Sequence, residues 1–146
     1  MQQKKWWHDK IVYQIYPMSF ADANNDGYGD LKGIIQHLDD LKELGVDILW
    51  LTPFFASPME DNGYDVANYY QINPLFGTMK DMDTLIAETK KREMYIMMDI
   101  VANHTSSEHD WFKESNKSKD NPYREYYIWR DEPLFNMHCT FGGSAW

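Results

Sequence analysis

Met94-Tyr95-Ile96-Met97-Met98-Asp99-Ile100-Val101-Ala102-Asn103-His104 is the stretch whose reading decides the fold. From Met94 to Val101 every residue but Asp99 is apolar or aromatic, as in a strand covered on both faces within a parallel sheet. Upstream, Thr78 followed by Asp81 resembles a helix N-cap, with Met82, Leu85 and Ile86 continuing one helical face. Further upstream, Val46-Asp47-Ile48-Leu49-Trp50-Leu51-Thr52 reads as a strand ended by Pro53, and a loop is expected from Phe54 to about Gly77. Leu31, Ile34, Ile35, Leu38, Leu41 and Leu44 recur at helical spacing, with Gly45 where a C′ glycine belongs. Ile11-Val12-Tyr13-Gln14-Ile15-Tyr16, β-branched and aromatic, is a strand stopped by Pro17. The order is strand, helix, strand, helix, strand. That alternation predicts an α/β fold with right-handed crossovers and a parallel sheet.

Three strands and two helices cannot cover both faces of such a sheet. Closure into a (β/α)8 barrel takes about 250 residues, and this chain has 146. Residues 104–146 are polar, aromatic and irregular, with Trp111-Phe112 expected in a short helix. The chain reads as cut.

Hydrophobic residues make up 43% and charged residues 25% of the chain, which excludes a disordered polymer. No apolar run approaches the roughly 20 residues of a transmembrane helix. A net charge of −9 argues against a nucleic-acid partner, since phosphates demand a basic face. One cysteine, Cys139, and no apolar stretch resembling a signal peptide make a cytoplasmic location the default.

Three segments carry chemistry. Asp22, Asn24, Asp26, Tyr28 and Asp30 alternate along one loop around Gly27, like the first half of an EF-hand loop. The glutamate expected at loop position twelve is absent, Gly33 standing there, and a strand precedes the loop, so an EF-hand is rejected. A single structural Ca2+ site, with Tyr28 lending its backbone carbonyl, and a metal-free loop of Asx turns both remain. Asp61-Asn62-Gly63-Tyr64-Asp65 follows the second strand, where barrel enzymes place their sites. A carboxylate beside an aromatic ring suits a sugar, and an Asn-Gly turn explains the same letters without a ligand. Asp99 is costly inside so apolar a strand unless paired, and the expected partner is an arginine beyond residue 146. His104 either donates to a substrate hydroxyl or ties down a loop. His8, His37, His109 and His138 are expected at the surface or in packing.

At these motifs the chain resembles glycoside hydrolase family 13, the α-amylase family, and most of all its oligo-1,6-glucosidase and dextran glucosidase branch. The resemblance rests on Val12-Tyr13-Gln14-Ile15-Tyr16-Pro17, the Asp22–Asp30 loop with Gly29-Asp30-Leu31, Leu44-Gly45-Val46-Asp47 and Asp61-Asn62-Gly63-Tyr64-Asp65. It continues through Phe76-Gly77-Thr78-Met79, Asp99 with Asn103-His104-Thr105, Tyr126-Tyr127-Ile128-Trp129-Arg130 and Gly142-Gly143-Ser144-Ala145-Trp146. It implies the N-terminal part of a (β/α)8 TIM barrel over residues 1–104 and the start of an inserted domain over residues 105–146.

The resemblance further implies that Asp22, Asn24, Asp26, Tyr28 and Asp30 hold a structural Ca2+. Asp61 would accept hydrogen bonds from the sugar at the non-reducing end, Tyr64 would stack on that ring, and His104 would bind its 6-hydroxyl. Asp99, with Asn103 beside His104, supports the pocket by pairing with an arginine near the nucleophile. The implied activity is retaining exo-hydrolysis of α-1,6-glucosides in isomalto-oligosaccharides or dextran, by a monomeric parent. Alternatives are an α-1,4-glucosidase, a trehalose-6-phosphate hydrolase, a sucrose isomerase, or a calcium- and sugar-binding half-barrel without catalysis. The nucleophile and acid/base carboxylates of the family, about 5–5.5 Å apart, have no counterpart in these residues. Departures from the family pattern are Met18 in place of a basic residue, Asn25 and Glu93 in place of glycines, and a short Asp131–Thr140 link. The reading requires Asp61, Tyr64 and His104 to converge above the carboxyl ends of neighbouring parallel strands.

Overall fold

The computed structural model describes residues 3–132, 136–139 and 142–144, so Ala145 and Trp146 of the last motif and parts of the 131–140 link lie outside the described residues. The chain divides into two compact units, residues 1–110 and 111–146. Residues 105–110 stay with the first unit, where the Ser106 amide donates to the Val66 carbonyl at 2.9 Å.

In the first unit three parallel strands, β1 (Val12–Ile15), β2 (Ile48–Leu51) and a later one over Tyr95–Met98, form one sheet with β2 in the middle. The register pairs Val12, Ile48 and Tyr95 across the three strands, and Gln14, Trp50 and Met97 two residues on. Side chains alternate between the two faces of a strand. Ile15, Leu49 and Leu51, with Ile96 packed against them, join the helices in the core. Gln14, Trp50 and Met97 therefore point to the other face.

The helices cover that core with most of the residues their spacing predicts, but Leu44 and Ile86 are 68% and 48% exposed and do not join it. The short α1 (Pro17–Phe20) leads into α2 (Leu31–Gln36), which buries Leu31 and Ile34, and α3 (Leu38–Glu43), which buries Leu38 and Leu41. The single helix expected over 31–44 bends at His37 (φ −103°, ψ 10°). There the imidazole meets Phe20 edge-on and its Nδ1 lies 2.7 Å from Asp40 Oδ2. Gly45 closes the segment at φ +91°, where a Cβ would be strained.

The expected loop from Phe54 to Gly77 contains an antiparallel pair, β3 (Phe55–Ala56) and β4 (Asn68–Ile72), and corrects that reading. A two-residue strand interrupted by a register shift leaves no period-2 signal to read. Helix α4 (Met79–Lys91) opens with the expected Thr78 cap, completed as a capping box by Asp81. The strand that follows, β5 (Tyr95–Met98), is not covered on both faces as its composition predicts. Tyr95, Met97 and Met98 are each more than 40% exposed, because β5 is an edge strand here.

The second unit packs around Trp129. Helix α5 (Asp110–Ser115) presents Phe112, which stacks on Trp129 with centroids 5.6 Å apart. The Arg124 guanidinium, in a 3-10 turn (Arg124–Tyr126), sits 4.0 Å from the Trp129 ring, a cation–π contact. Ser115 accepts from Trp129 Nε1 at 2.8 Å.

Candidate functional site

The backbone ladder of the sheet runs past the strand ends. Thr52 donates its amide to the Ile15 carbonyl, and Asp99 donates to the Leu51 carbonyl. Continuing the register by two residues puts Tyr16, Thr52 and Asp99 in one row on the inner face, at the carboxyl ends of three parallel strands. In a barrel that is the face where substrate binds.

Above this row lies the 57–65 loop, held by Asp65. Its Oδ1 accepts from Ser57 Oγ at 2.8 Å and the Asp61 amide at 3.2 Å, and its Oδ2 from the Glu60 amide at 2.9 Å. Burial pushes this carboxyl up, but the Ser57 hydroxyl and the backbone amides outweigh it and keep it below the usual aspartate range. Three loop residues sit at positive φ, Met59, Asn62 and Gly63. At Gly63 a Cβ would also lie 2.9 Å from the Pro53 carbonyl oxygen. The strain is local, and it brings the loop back over the sheet.

Tyr64 is thereby lowered onto Asp99. Its hydroxyl donates to Asp99 Oδ2 at 3.0 Å, while Trp50 Nε1 donates to Asp99 Oδ1 at 2.8 Å. Burial, then this bond to the carboxylate, raises the Tyr64 phenol above its ordinary range, with Asp61 adding its charge. His104 Nε2 lies 3.2 Å from the Tyr64 carbonyl oxygen, and Asn103 Nδ2 lies 3.2 Å from His104 Nδ1. A carbonyl only accepts, so Nε2 carries the proton and Nδ1 accepts. Tyr69 donates its hydroxyl to the carbonyls of Val101 and His104, tying the strand exit to β4.

Tyr64 and His104 thus meet, from loops after adjacent strands, and Asp61 precedes Tyr64 in one turn closed by the Tyr64 amide and the Asp61 carbonyl at 2.9 Å. Asp61 and His104 are exposed and Tyr64 is half-exposed, so the cluster opens to solvent. Beside it a cavity of about 520 Å3 is lined by Gln14, Tyr16, Thr52, Asn62 and Tyr64. Among the described residues the side chains that hold Asp99 are Tyr64 and Trp50, neither of them named as its partner by the sequence reading, while the expected arginine belongs beyond residue 146. Gln14, Tyr16, Trp50 and Thr52 were also missed. Their signal was the two-residue period that puts 14 and 16, 50 and 52, and 97 and 99 on one face. Met18, noted as a departure, takes a hydrogen bond on its sulfur from Tyr16 at 3.1 Å.

The Asp22–Asp30 loop is folded on its own polar groups. Asp22 accepts from the amides of Asn24, Asn25 and Gly27, Asn24 from Asp26, and Asp26 from Tyr28. The bonds to Asp22, that from Gly27 foremost, hold its carboxyl below the ordinary range. Asn25 turns the chain at φ 63°, a conformation Asn tolerates. Asp30 is buried and caps α2 through the Gly33 amide. Among the described residues no three Asp, Glu, His or Cys side chains are gathered closely enough to hold a metal. The donors still suit calcium in kind, all being hard oxygens whose amide-bonded carboxylates keep further lone pairs.

The catalytic-domain profile of the α-amylases matches residues 14–146. The chain belongs to the α-amylase family. Over 144 residues it is 58% identical to a glucan 1,6-alpha-glucosidase of Streptococcus pneumoniae, covering 99% of this chain and 27% of that protein. Over 149 residues it is 57% identical to an oligo-1,6-glucosidase of Bacillus cereus, covering 99% and 26%. Among solved structures, the isomaltulose synthase of Klebsiella sp. LX3 superposes with a TM-score of 0.95 at 53% identity, over 98% of this chain and 26% of that one. The chain spans about a quarter of the length of these α-amylase relatives, and its sheet is the opening β/α part of their barrel fold.

Proposed function

We propose that the protein carrying this chain is a retaining, exo-acting α-glucosidase that releases glucose from the non-reducing end of α-1,6-linked oligosaccharides. One arrangement supports the reading: Tyr64 is hydrogen-bonded through its hydroxyl to Asp99 and through its carbonyl to His104, beside Asp61, at the carboxyl edge of the parallel sheet. Asp61 accepts hydrogen bonds from the terminal glucose, whose C–H face packs on the Tyr64 ring. His104, its Nε2 proton otherwise spent on the Tyr64 carbonyl, donates to the 6-hydroxyl. These residues grip the sugar. The bond is broken by a carboxylate pair about 5–5.5 Å apart, to which no residue here corresponds.

A sucrose-isomerising activity is the second reading, favoured by the likeness to the isomaltulose synthase. A panel of isomaltose, maltose, dextran, sucrose and trehalose 6-phosphate on the full-length protein separates these activities, with isomaltose expected to be cleaved fastest. Asp61→Ala is expected to lower kcat/KM on isomaltose by about 100-fold, the scale of a lost charged hydrogen bond. Wild-type efficiency in that variant removes Asp61 from the role. The 146-residue chain alone is expected to release no nitrophenol from a nitrophenyl α-glucoside.

Asp22, Asn24, Asp26, Asp30 and the Tyr28 carbonyl would hold a structural calcium ion, which supplies no chemistry at the sugar but fixes the loop. Calcium binding to the folded state raises the unfolding temperature. EDTA treatment is expected to lower it, and added Ca2+ to restore it. An unfolding temperature indifferent to both leaves the metal-free Asx loop as the answer.

A further inference from the structure

We infer that Trp50 is a positioning residue for the sugar platform: its indole N–H fixes the Asp99 carboxylate, and through that carboxylate the ring of Tyr64. The inference rests on the glucosidase reading for the word sugar, but the chain of bonds stands on geometry alone. Trp50 sits in the middle strand, with Gln14 in register on one side and Met97 on the other. Asp99 lies two residues beyond Met97, so it is the diagonal neighbour of Trp50 on the same face, within reach of a long aromatic side chain.

A carboxylate swivels easily about its last torsion, which is broad and two-fold. Here each oxygen has one side-chain donor, Trp50 on Oδ1 and Tyr64 on Oδ2. The two donors differ in support. Tyr64 hangs from a loop with three positive-φ residues just before it, whereas Trp50 is anchored in a strand paired on both sides. Indole donates one hydrogen and accepts none, so Trp50 has a single polar task. A phenylalanine keeps an aromatic ring at this position but has no N–H. Only the N–H locks the carboxylate with Oδ2 facing the Tyr64 hydroxyl.

The test uses the full-length protein with 13C-labelled tyrosine, the Tyr64 Cζ signal being identified by its loss in Tyr64→Phe. Trp50→Phe is expected to move that signal and to lower kcat/KM on isomaltose about tenfold, mainly through KM. In the Tyr64→Phe background, where the hydroxyl is already gone, the same change is expected to cost almost nothing. An unmoved Cζ signal, or an equal cost in both backgrounds, reduces Trp50 to packing and overturns the inference. If Trp50→Phe does not fold, Asp99→Ala decides: both the Trp50 indole N–H resonance and Tyr64 Cζ must shift, and either one standing still sinks the proposal. A wild-type protein that cleaves no α-glucoside ends the glucosidase reading, while the two resonances still judge the bond chain.

Discussion

Glu93 stands at φ 55° just after Arg92, the C-cap of α4, a left-handed conformation that costs an L-residue with a Cβ about 1 kcal/mol. Glycine removes that cost but loses more freedom on folding. Glu93→Gly is therefore expected to stabilise the protein by up to about 1 kcal/mol, read from the urea midpoint. A lower midpoint would mean that the glutamate side chain holds something the backbone angle does not reveal. Asp65 shows the opposite economy. It touches no substrate in the proposed scheme, yet three donors converge on it, and the position of Tyr64 depends on the loop it gathers. The motif was legible as letters, but the division of labour within it was not. Asp61 and Asp65 are the same residue type four positions apart, and only the hydrogen bonds tell the exposed one from the anchor.

Helix α4 illustrates what local sequence can specify. Thr78 Oγ1 accepts from the Asp81 amide at 3.2 Å, and Asp81 Oδ2 accepts from the Thr78 amide at 2.8 Å. The Thr78 hydroxyl, ahead of its amide, keeps the Asp81 carboxyl below the 3.8 usual for aspartate. A carboxyl lowered by folding stabilises the protein above its unfolded value, and the contribution fades as pH falls through the folded value. Thr78→Ala is expected to cost about 1 kcal/mol at neutral pH. Below about pH 3.8 the gap to wild type should narrow, as urea titrations at pH 7 and pH 3 would show. A constant gap would assign the cost to packing and the neutral bond from the Asp81 amide, and none of it to the Asp81 carboxylate. The bend at His37 and the β3–β4 pair were beyond local reading, because each depends on residues distant in sequence: Phe20 for the first, Ile72 against Phe55 for the second.

At the scale of the first unit, the parallel sheet leaves apolar surface uncovered at its β5 side. Trp6, Trp7, Val12, Ile48, Tyr95 and Met97 line a hollow of about 520 Å3 on the inner face. Met82, Ile86, Met94, Met98 and Ile100 line one of about 690 Å3 between α4 and β5. Tyr95 and Met97 on the edge strand and Ile100 just beyond it are 49%, 41% and 70% exposed, more than an isolated soluble domain ordinarily leaves at a sheet edge. The 146-residue chain produced by itself is expected to self-associate and to bind a hydrophobic dye. A monodisperse monomer by light scattering, dark with the dye, would contradict this.

By itself the sequence determined the three strands of the parallel sheet and the helical segments between them, the α4 cap and the family, because each is written in residues close together along the chain. Alternation, spacing and capping are local, and an apolar run such as Met94–Val101 names a strand whatever surrounds it. The tertiary structure alone decided which side chains meet at the carboxyl edge. Trp50 and Asp99 are separated by 49 residues, Tyr64 and His104 by 40, and only the parallel register, set by packing the helices on one face, brings them within hydrogen-bonding distance.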